Sequence, residues 1–189
     1  MNLPNKLTLL RVILIPFFVL FALWEFSSVN LFIALLIFAV ASITDMLDGK
    51  IARSRNLITN FGKFLDPLAD KALVMAALLV FVDKNWVSSV PVMLILFREF
   101  MVSALRLVVK SGDGTVVAAG WLGKVKTAFT MVAIVVTLFL HGLMAVGVGL
   151  SGTAVSVIDN ILVWLAALLT AVSGVQYLWA YRSAIDTNE

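Results

Sequence analysis

Four aspartates form two closely spaced pairs in the sequence. Asp45 and Asp48 are three residues apart. Asp66 and Asp70 are four residues apart, so each pair would lie on one face of a helix. Four converging carboxylates repel one another unless protons or cations neutralise them. Hard oxygen ligands suit Mg²⁺ or Mn²⁺, so the pattern predicts a two-metal site that could stabilise the attacking and leaving oxygens of a phosphoryl transfer.

Small residues accompany the aspartates. Gly49 and Ala52 follow the first pair at helical spacing, and Gly62 precedes the second pair by one turn. A glycine inside a helix costs about 1 kcal/mol relative to alanine, so a close contact should compensate for it. Another helix could supply that contact. The adjacent Arg53 and the aspartates instead favour a ligand whose phosphates lie against bare backbone.

Membrane-spanning helices must position these residues, because the chain is too apolar for a soluble enzyme. Apolar residues make up 62% and charged residues 13%, against about 45–50% and 25% in soluble domains. Without Cys, and with one His, the chain cannot build thiolate or His-rich metal sites. A span needs about 20 apolar residues. Six stretches predict an all-α, polytopic, single-domain protein over residues 1–189: Leu7–Trp24, Val29–Asp45, Phe64–Val82, Ser88–Val109, Val125–Val148 and Ile161–Ala180.

The basic residues predict the orientation of the six spans. Every Lys and Arg except Lys84 falls on the side of the two termini. Cytoplasmic loops carry the excess of positive charge, so we expect both termini in the cytoplasm and the aspartates at the cytoplasmic membrane edge. Cleavage of the first span as a signal peptide is the alternative, but FALWEFSS offers no small-residue cleavage site.

Six further acidic residues are expected to be solvated, and the one histidine is expected to lie at the membrane interface. His141 falls at the far end of the fifth span, where we expect it to provide polarity at the membrane interface. The acidic residues expected in loops or at ends are Glu25, Asp83, Asp113, Asp159, Asp186 and Glu189.

The segment DMLDGKIARSRNLITNFGKFLDPLAD, Asp45–Asp70, resembles the signature of the CDP-alcohol phosphatidyltransferase family. That pattern is D-x2-D-G-x2-A-R-x8-G-x3-D-x3-D, and every fixed position is filled. The six spans and the chain length also fit, so the resemblance covers nearly the whole chain. It implies a homodimer in the bacterial inner membrane, with an active site that faces the cytoplasm, membrane lipids around it and no nucleic-acid partner.

The resemblance also implies a role for each matching residue. The four aspartates would hold two divalent cations, Mg²⁺ or Mn²⁺, and Asp70 would also act as the general base. The residues implied to hold CDP-diacylglycerol lie in the signature and in the N-terminal segment PNKLTLLRVILIP: Asn5, Thr8, Arg11, Gly49, Ala52, Arg53 and Thr59.

Members of this family differ in the alcohol that accepts the phosphatidyl group. Arg98 lies about 15 Å from the outer end of the fourth span, where it needs a partner or a hydrated cavity. Arg106 falls on roughly the same face, while Glu99, as a helix neighbour, is expected to be an imperfect partner for Arg98. Together with Lys124 and Lys126 the arginines could form a basic pocket for a phosphate-bearing acceptor. For the two lysines alone, topological anchoring is the alternative.

The sequence therefore predicts an enzyme that transfers the phosphatidyl group from CDP-diacylglycerol to sn-glycerol 3-phosphate and releases CMP. The GKVKT segment is similar to family members that use this acceptor. Inositol phosphate, serine or phosphatidylglycerol are the alternative acceptors. A divalent-cation transporter is the alternative from another class, but it would place acidic residues at mid-membrane and often contain inverted repeats. A structural scaffold would leave the clustered aspartates unexplained.

Overall fold

The described part of the chain is all-helical. The computed structural model describes residues 3–24, 26–54, 60–111 and 120–182, with side chains described except at 3, 4, 46–54, 60–67 and 107–111. Within these ranges there are six helices and no strand. The helices are α1 (Leu3–Leu23), α2 (Asn30–Ser54), α3 (Asn60–Asp83), α4 (Ser89–Ser111), α5 (Trp121–Ala145) and α6 (Gly152–Ala180). The predicted all-α class is confirmed, and the described residues form six helices, as predicted.

Three of these helices are long and apolar enough to cross a membrane: Asn5–Leu23, Trp121–Ala145 and Gly152–Ala180. A shorter apolar helical stretch covers Asn30–Asp45. Large apolar side chains such as Phe97, Leu168 and Val175 are more than half exposed on the outside of the bundle. A protein in water rarely exposes such continuous apolar surface, so the outer surface suits contact with lipid.

The helices pack around a core of aromatic and small residues. α1 packs on α2 and α3, α5 packs on α2 and α6, and α4 packs on α6. Phe18 of α1 contacts Phe38 of α2, with ring centroids 5.8 Å apart. Ala34 and Ala41 are fully buried and let neighbouring backbones approach. This packing holds the charged segments of α2 to α5 next to one another.

Helix bounds differ from the predicted spans where the chain is polar. α2 continues past Asp45 to Ser54, and α3 already begins at Asn60. An apolar stretch marks only the part of a helix that needs burial, and the backbone hydrogen bonds continue beyond it. α6 begins at Gly152 rather than Ile161, because the hydroxyl of Ser151 caps it by accepting a hydrogen bond from the Ala154 amide at 3.4 Å.

The expectation that Asp159 is solvated is wrong. Asp159 is fully buried within α6, where it accepts a hydrogen bond from the Thr137 hydroxyl at 2.9 Å. Its other oxygen lies 2.7 Å from Nε2 of His141, whose ring stacks on Trp86 with centroids 3.6 Å apart. His141 therefore joins α5 to α6 inside the bundle rather than only adding interfacial polarity. A buried carboxylate with two polar partners does not interrupt an apolar helix.

Candidate active site

The two aspartate pairs lie on α2 and α3. Asp45 and Asp48 fall within α2, and Asp66 and Asp70 fall within α3, as their spacing predicts. The side chains of Asp48 and Asp66 are outside the described residues, so the convergence of four carboxylates stays a prediction. The CDP-diacylglycerol predictions at Gly49, Ala52, Arg53 and Thr59 also lie outside the described side chains.

An ion pair links α1 to the first aspartate of the signature. Nη1 of Arg11 lies 2.6 Å from Oδ1 of Asp45. Arg11 is fully buried, whereas the Asp45 side chain is about one-third exposed. Asn5 and Thr8 precede Arg11 at helical spacing and are buried as well. α1 thus turns a polar face inward. The buried guanidinium of Arg11 on this face needs a partner that compensates its charge, and Asp45 is that partner.

A small, partly open cavity lies among α3, α4 and α5. Asp70 and Lys71 line it from α3, Glu99 from α4 and Lys126 from α5. Its remaining lining is largely apolar and includes Leu78. Asp70 therefore shares this cavity with Lys126, one of the four residues of the predicted basic pocket, as expected if proton removal and acceptor binding occur in the same place.

Glu99 connects the cations around this cavity. Its Oε1 accepts a hydrogen bond from Nη1 of Arg98 at 3.1 Å and pairs with the ammonium group of Lys126. The expectation that Glu99 is an imperfect partner for Arg98 is therefore wrong, since two long side chains can bend toward each other from adjacent positions. On the α3 side, Lys71 donates to the hydroxyl of Ser103. Most of these side chains are largely buried, so the charges act on one another through little water.

The two predicted arginines contact α6. Nη2 of Arg98 donates to the Ser173 hydroxyl at 2.7 Å, and Arg106 donates to the Tyr177 hydroxyl. Nε of each arginine is buried without a hydrogen-bond partner among the described residues. Buried donors are normally satisfied, so each arginine keeps one N–H group that no described residue satisfies.

The predicted lysines differ in their surroundings. Lys126 is buried and lines the cavity, whereas Lys124 is exposed at the start of α5. Sequence reasoning missed Lys71, Ser173 and Tyr177 as members of this network. A polar residue within a span is itself a signal of function, and this rule could have identified Ser173 and Tyr177 in the otherwise apolar α6.

The acidic residues have suitable chemistry for a hard divalent cation. Among the described residues, no three His, Asp or Glu side chains lie close enough together to hold a metal ion. Asp45 and Asp70 nevertheless contribute carboxylate oxygens from α2 and α3, and such oxygens are the ligands that Mg²⁺ and Mn²⁺ prefer. The chemistry of these two carboxylates therefore suits the predicted cations, and the other two predicted ligands, Asp48 and Asp66, lie outside the described side chains.

Comparison with known proteins agrees with the sequence resemblance. Residues 1–177 match the family described as CDP-alcohol phosphatidyltransferase. The chain is 41% identical to the CDP-diacylglycerol–glycerol-3-phosphate 3-phosphatidyltransferase of Bacillus subtilis strain 168, over 99% of this chain and 98% of that protein. The Escherichia coli K12 protein of the same name is 40% identical, over 96% of both chains, and the one from Rickettsia felis is 39% identical over the same shares.

Proposed function

The chain belongs to the CDP-alcohol phosphatidyltransferase family, and we propose that it transfers the phosphatidyl group of CDP-diacylglycerol to sn-glycerol 3-phosphate, giving phosphatidylglycerol phosphate and CMP. The observation that carries this proposal is the cavity that Asp70 shares with Lys71, Glu99 and Lys126. The near-full-length similarity to enzymes named for this reaction supports the same acceptor. Membership of a transferase family disfavours the transporter and scaffold alternatives.

Asp70 is the proposed general base. It takes the proton from the 1-hydroxyl of the acceptor, whose oxygen then attacks the phosphatidyl phosphorus. The new phosphorus–oxygen bond forms as the bond to the CMP oxygen breaks, so protons and charge balance without a covalent enzyme intermediate. Such a transfer depends mainly on positioning and charge stabilisation, which is why the chain needs no Ser, Cys or His nucleophile.

The metal and nucleotide roles follow the signature. Asp45, Asp48, Asp66 and Asp70 are proposed to hold two divalent cations, which when bound would neutralise the negative charge of the pyrophosphate. Arg11 fixes the orientation of the Asp45 carboxylate through their ion pair. The residues proposed to hold CDP-diacylglycerol are Asn5, Thr8, Gly49, Ala52, Arg53 and Thr59, with Arg53 suited to bidentate contact with phosphate oxygens.

Charge balance supports a phosphate-bearing acceptor. The charged residues that line the cavity are Lys71 and Lys126 against Asp70 and Glu99. Arg98, which pairs with Glu99, and Arg106, which donates to Tyr177, lie outside this lining and add two further positive charges. The excess of positive charge suits a phosphate dianion, and it would repel choline or ethanolamine. We propose that Lys126 in the cavity, together with Arg98 and Arg106 on the α6 side of Glu99, binds the acceptor phosphate and that the exposed Lys124 attracts it.

The proposal extends to the membrane arrangement. We propose a single domain with six spans and both termini in the cytoplasm of a bacterial inner membrane, because the basic residues gather on that side. A homodimer follows from the family resemblance. Cysteine accessibility in intact cells tests the orientation, since the chain contains no natural Cys. Labelling of a Lys6→Cys variant from outside unbroken cells would contradict the cytoplasmic placement of the N-terminus.

An acceptor comparison tests the reaction. The purified protein in lipid nanodiscs is given CDP-diacylglycerol, Mg²⁺ and one of sn-glycerol 3-phosphate, inositol, inositol phosphate, serine or phosphatidylglycerol. We expect CMP release and a phosphorylated lipid product with sn-glycerol 3-phosphate and little turnover with the other acceptors. Equal turnover with any of those would show that the acceptor assignment is wrong while leaving the transferase chemistry intact.

A further inference from the structure

We propose that one face of α6, formed by Ser173, Gly174 and Tyr177, is the positioning element for the two arginines that receive the acceptor phosphate. The inference rests on the proposed function, since it deepens the assignment of Arg98 and Arg106. None of the three α6 residues is proposed to touch the reacting atoms. They act by fixing where the two guanidinium groups lie.

Gly174 and Ser173 define the path of Arg98. A Cβ atom built at Gly174 would lie 2.9 Å from Cγ and 3.5 Å from Nε of Arg98, so any side chain there must displace the arginine or its helix. One residue earlier, the buried Ser173 hydroxyl accepts from Nη2 at 2.7 Å. Glu99 holds Nη1 at the other end of the group. Arg98 therefore crosses α6 in one fixed geometry, with its stem against Gly174 and both of its Nη atoms hydrogen-bonded.

Tyr177 brings the second arginine to the same place. Arg98 and Arg106 are eight residues apart, about 12 Å along the axis of α4. Their guanidinium carbons nevertheless lie 5.4 and 4.9 Å from the centroid of the one Tyr177 ring. The ring attracts both cations through its π face, and its hydroxyl accepts from Arg106.

The Tyr177 ring is itself held in place. It is 5% exposed, and Tyr181 stacks on it with centroids 6.2 Å apart and planes 13° apart. Two guanidinium groups would repel each other if they were brought together without such support. The fixed ring keeps both guanidinium groups beside the same part of α6 before the acceptor arrives.

The contacts could instead be ordinary helix packing, and a matched control separates the two explanations. Gly142 of α5 is another closely packed helical glycine, because a Cβ atom there would lie 3.1 Å from the Phe32 ring. It neighbours His141, away from the basic residues. Gly142→Ala should therefore lower thermal stability without changing the affinity for either substrate.

The experiment compares Gly174→Ala, Tyr177→Phe and Tyr177→Leu with wild type and Gly142→Ala in nanodiscs. KM for sn-glycerol 3-phosphate, KM for CDP-diacylglycerol, kcat and the melting temperature are measured for each. We expect Gly174→Ala and Tyr177→Leu to raise KM for sn-glycerol 3-phosphate about tenfold, with KM for CDP-diacylglycerol within about twofold. The KM of Tyr177→Phe for sn-glycerol 3-phosphate should lie between those of wild type and Tyr177→Leu, since this variant keeps the ring and loses the hydroxyl.

The outcomes separate this inference from the proposed function. If wild type converts sn-glycerol 3-phosphate while Gly174→Ala and both Tyr177 variants keep its KM, the positioning role is overturned and the function stands. A rise in both KM values, or an equal rise in Gly142→Ala, would also overturn it, because a general packing defect would explain the data. If wild type does not convert sn-glycerol 3-phosphate, the proposed function fails and this inference fails with it. Should Gly174→Ala not fold, the Tyr177 pair decides.

Discussion

Glu99→Gln is expected to destabilise the protein. It is also expected to increase the rise in melting temperature that a bound phosphate causes. Glu99 is the shared partner of Arg98 and Lys126, and all three side chains are largely buried, at 17% exposure for Glu99 and 9% for each cation. Glutamine keeps the size and removes the charge. The two cations are then left without their counter-ion in a region of low water content.

The size of both effects follows from these contacts. Breaking a buried ion pair by removing one partner costs about 3–5 kcal/mol, and the retained amide oxygen of glutamine should keep the loss near the lower value. For a chain of this length that corresponds to a fall of about 10 °C in melting temperature. A phosphate dianion can replace the missing charge, so sn-glycerol 3-phosphate should bind the variant more tightly and raise its melting temperature more than that of wild type.

Thermal unfolding in nanodiscs measures this directly, with and without sn-glycerol 3-phosphate and with inorganic phosphate as a second probe. Asp159→Asn is the matched control, because it also changes a buried carboxylate with two polar partners to an amide. Asp159→Asn should lower the melting temperature, but phosphate should raise its melting temperature by the same amount as that of wild type. If phosphate raises the melting temperature of Glu99→Gln by no more than that of wild type, the assignment of Arg98 and Lys126 to the acceptor phosphate is refuted.

Three further predictions concern the nucleotide side, the lysines and the metals. Arg11→Gln should lower kcat at least about tenfold without raising KM for sn-glycerol 3-phosphate, because the Asp45 carboxylate loses the ion pair that orients it. An unchanged kcat would exclude this orienting role of Arg11. Lys126→Ala should raise KM for sn-glycerol 3-phosphate by at least about fivefold more than Lys124→Ala, since only the former is buried against Glu99; equal effects would contradict the burial argument. Chelation should abolish CMP release, and Mg²⁺ or Mn²⁺ should restore it; activity that survives chelation would rule out the metal assignment.

The fold class could be predicted because apolar composition and span length leave few alternatives. The number of helices followed from the six apolar stretches, and the placement of both aspartate pairs on helices followed from their spacing. The start of α6 was missed because Asp159 looks like a residue in water. Its burial depends on Thr137 and His141, which come from another helix. A single sequence does not show which distant residues will meet a polar group.

The basic pocket was predictable in composition but not in arrangement. Arg98 was recognisable because an arginine within a span requires a partner. Glu99 looked like a poor partner, since helix neighbours diverge at their Cβ atoms, yet side-chain length allows the pair to form. The roles of Gly174 and Tyr177 depend on how α4 packs against α6, a tertiary feature without a local sequence signal.

The central claim is that Asp70 activates the acceptor for transfer, and one measurement tests it most directly. CMP release from CDP-diacylglycerol with saturating sn-glycerol 3-phosphate is compared in wild type, Asp70→Asn and Asp83→Asn, the last changing an exposed carboxylate at the far end of the same helix. Our account predicts a loss of at least about 10²-fold in kcat for Asp70→Asn, with Asp83→Asn close to wild type. Near-normal CMP release by a folded Asp70→Asn protein would contradict it.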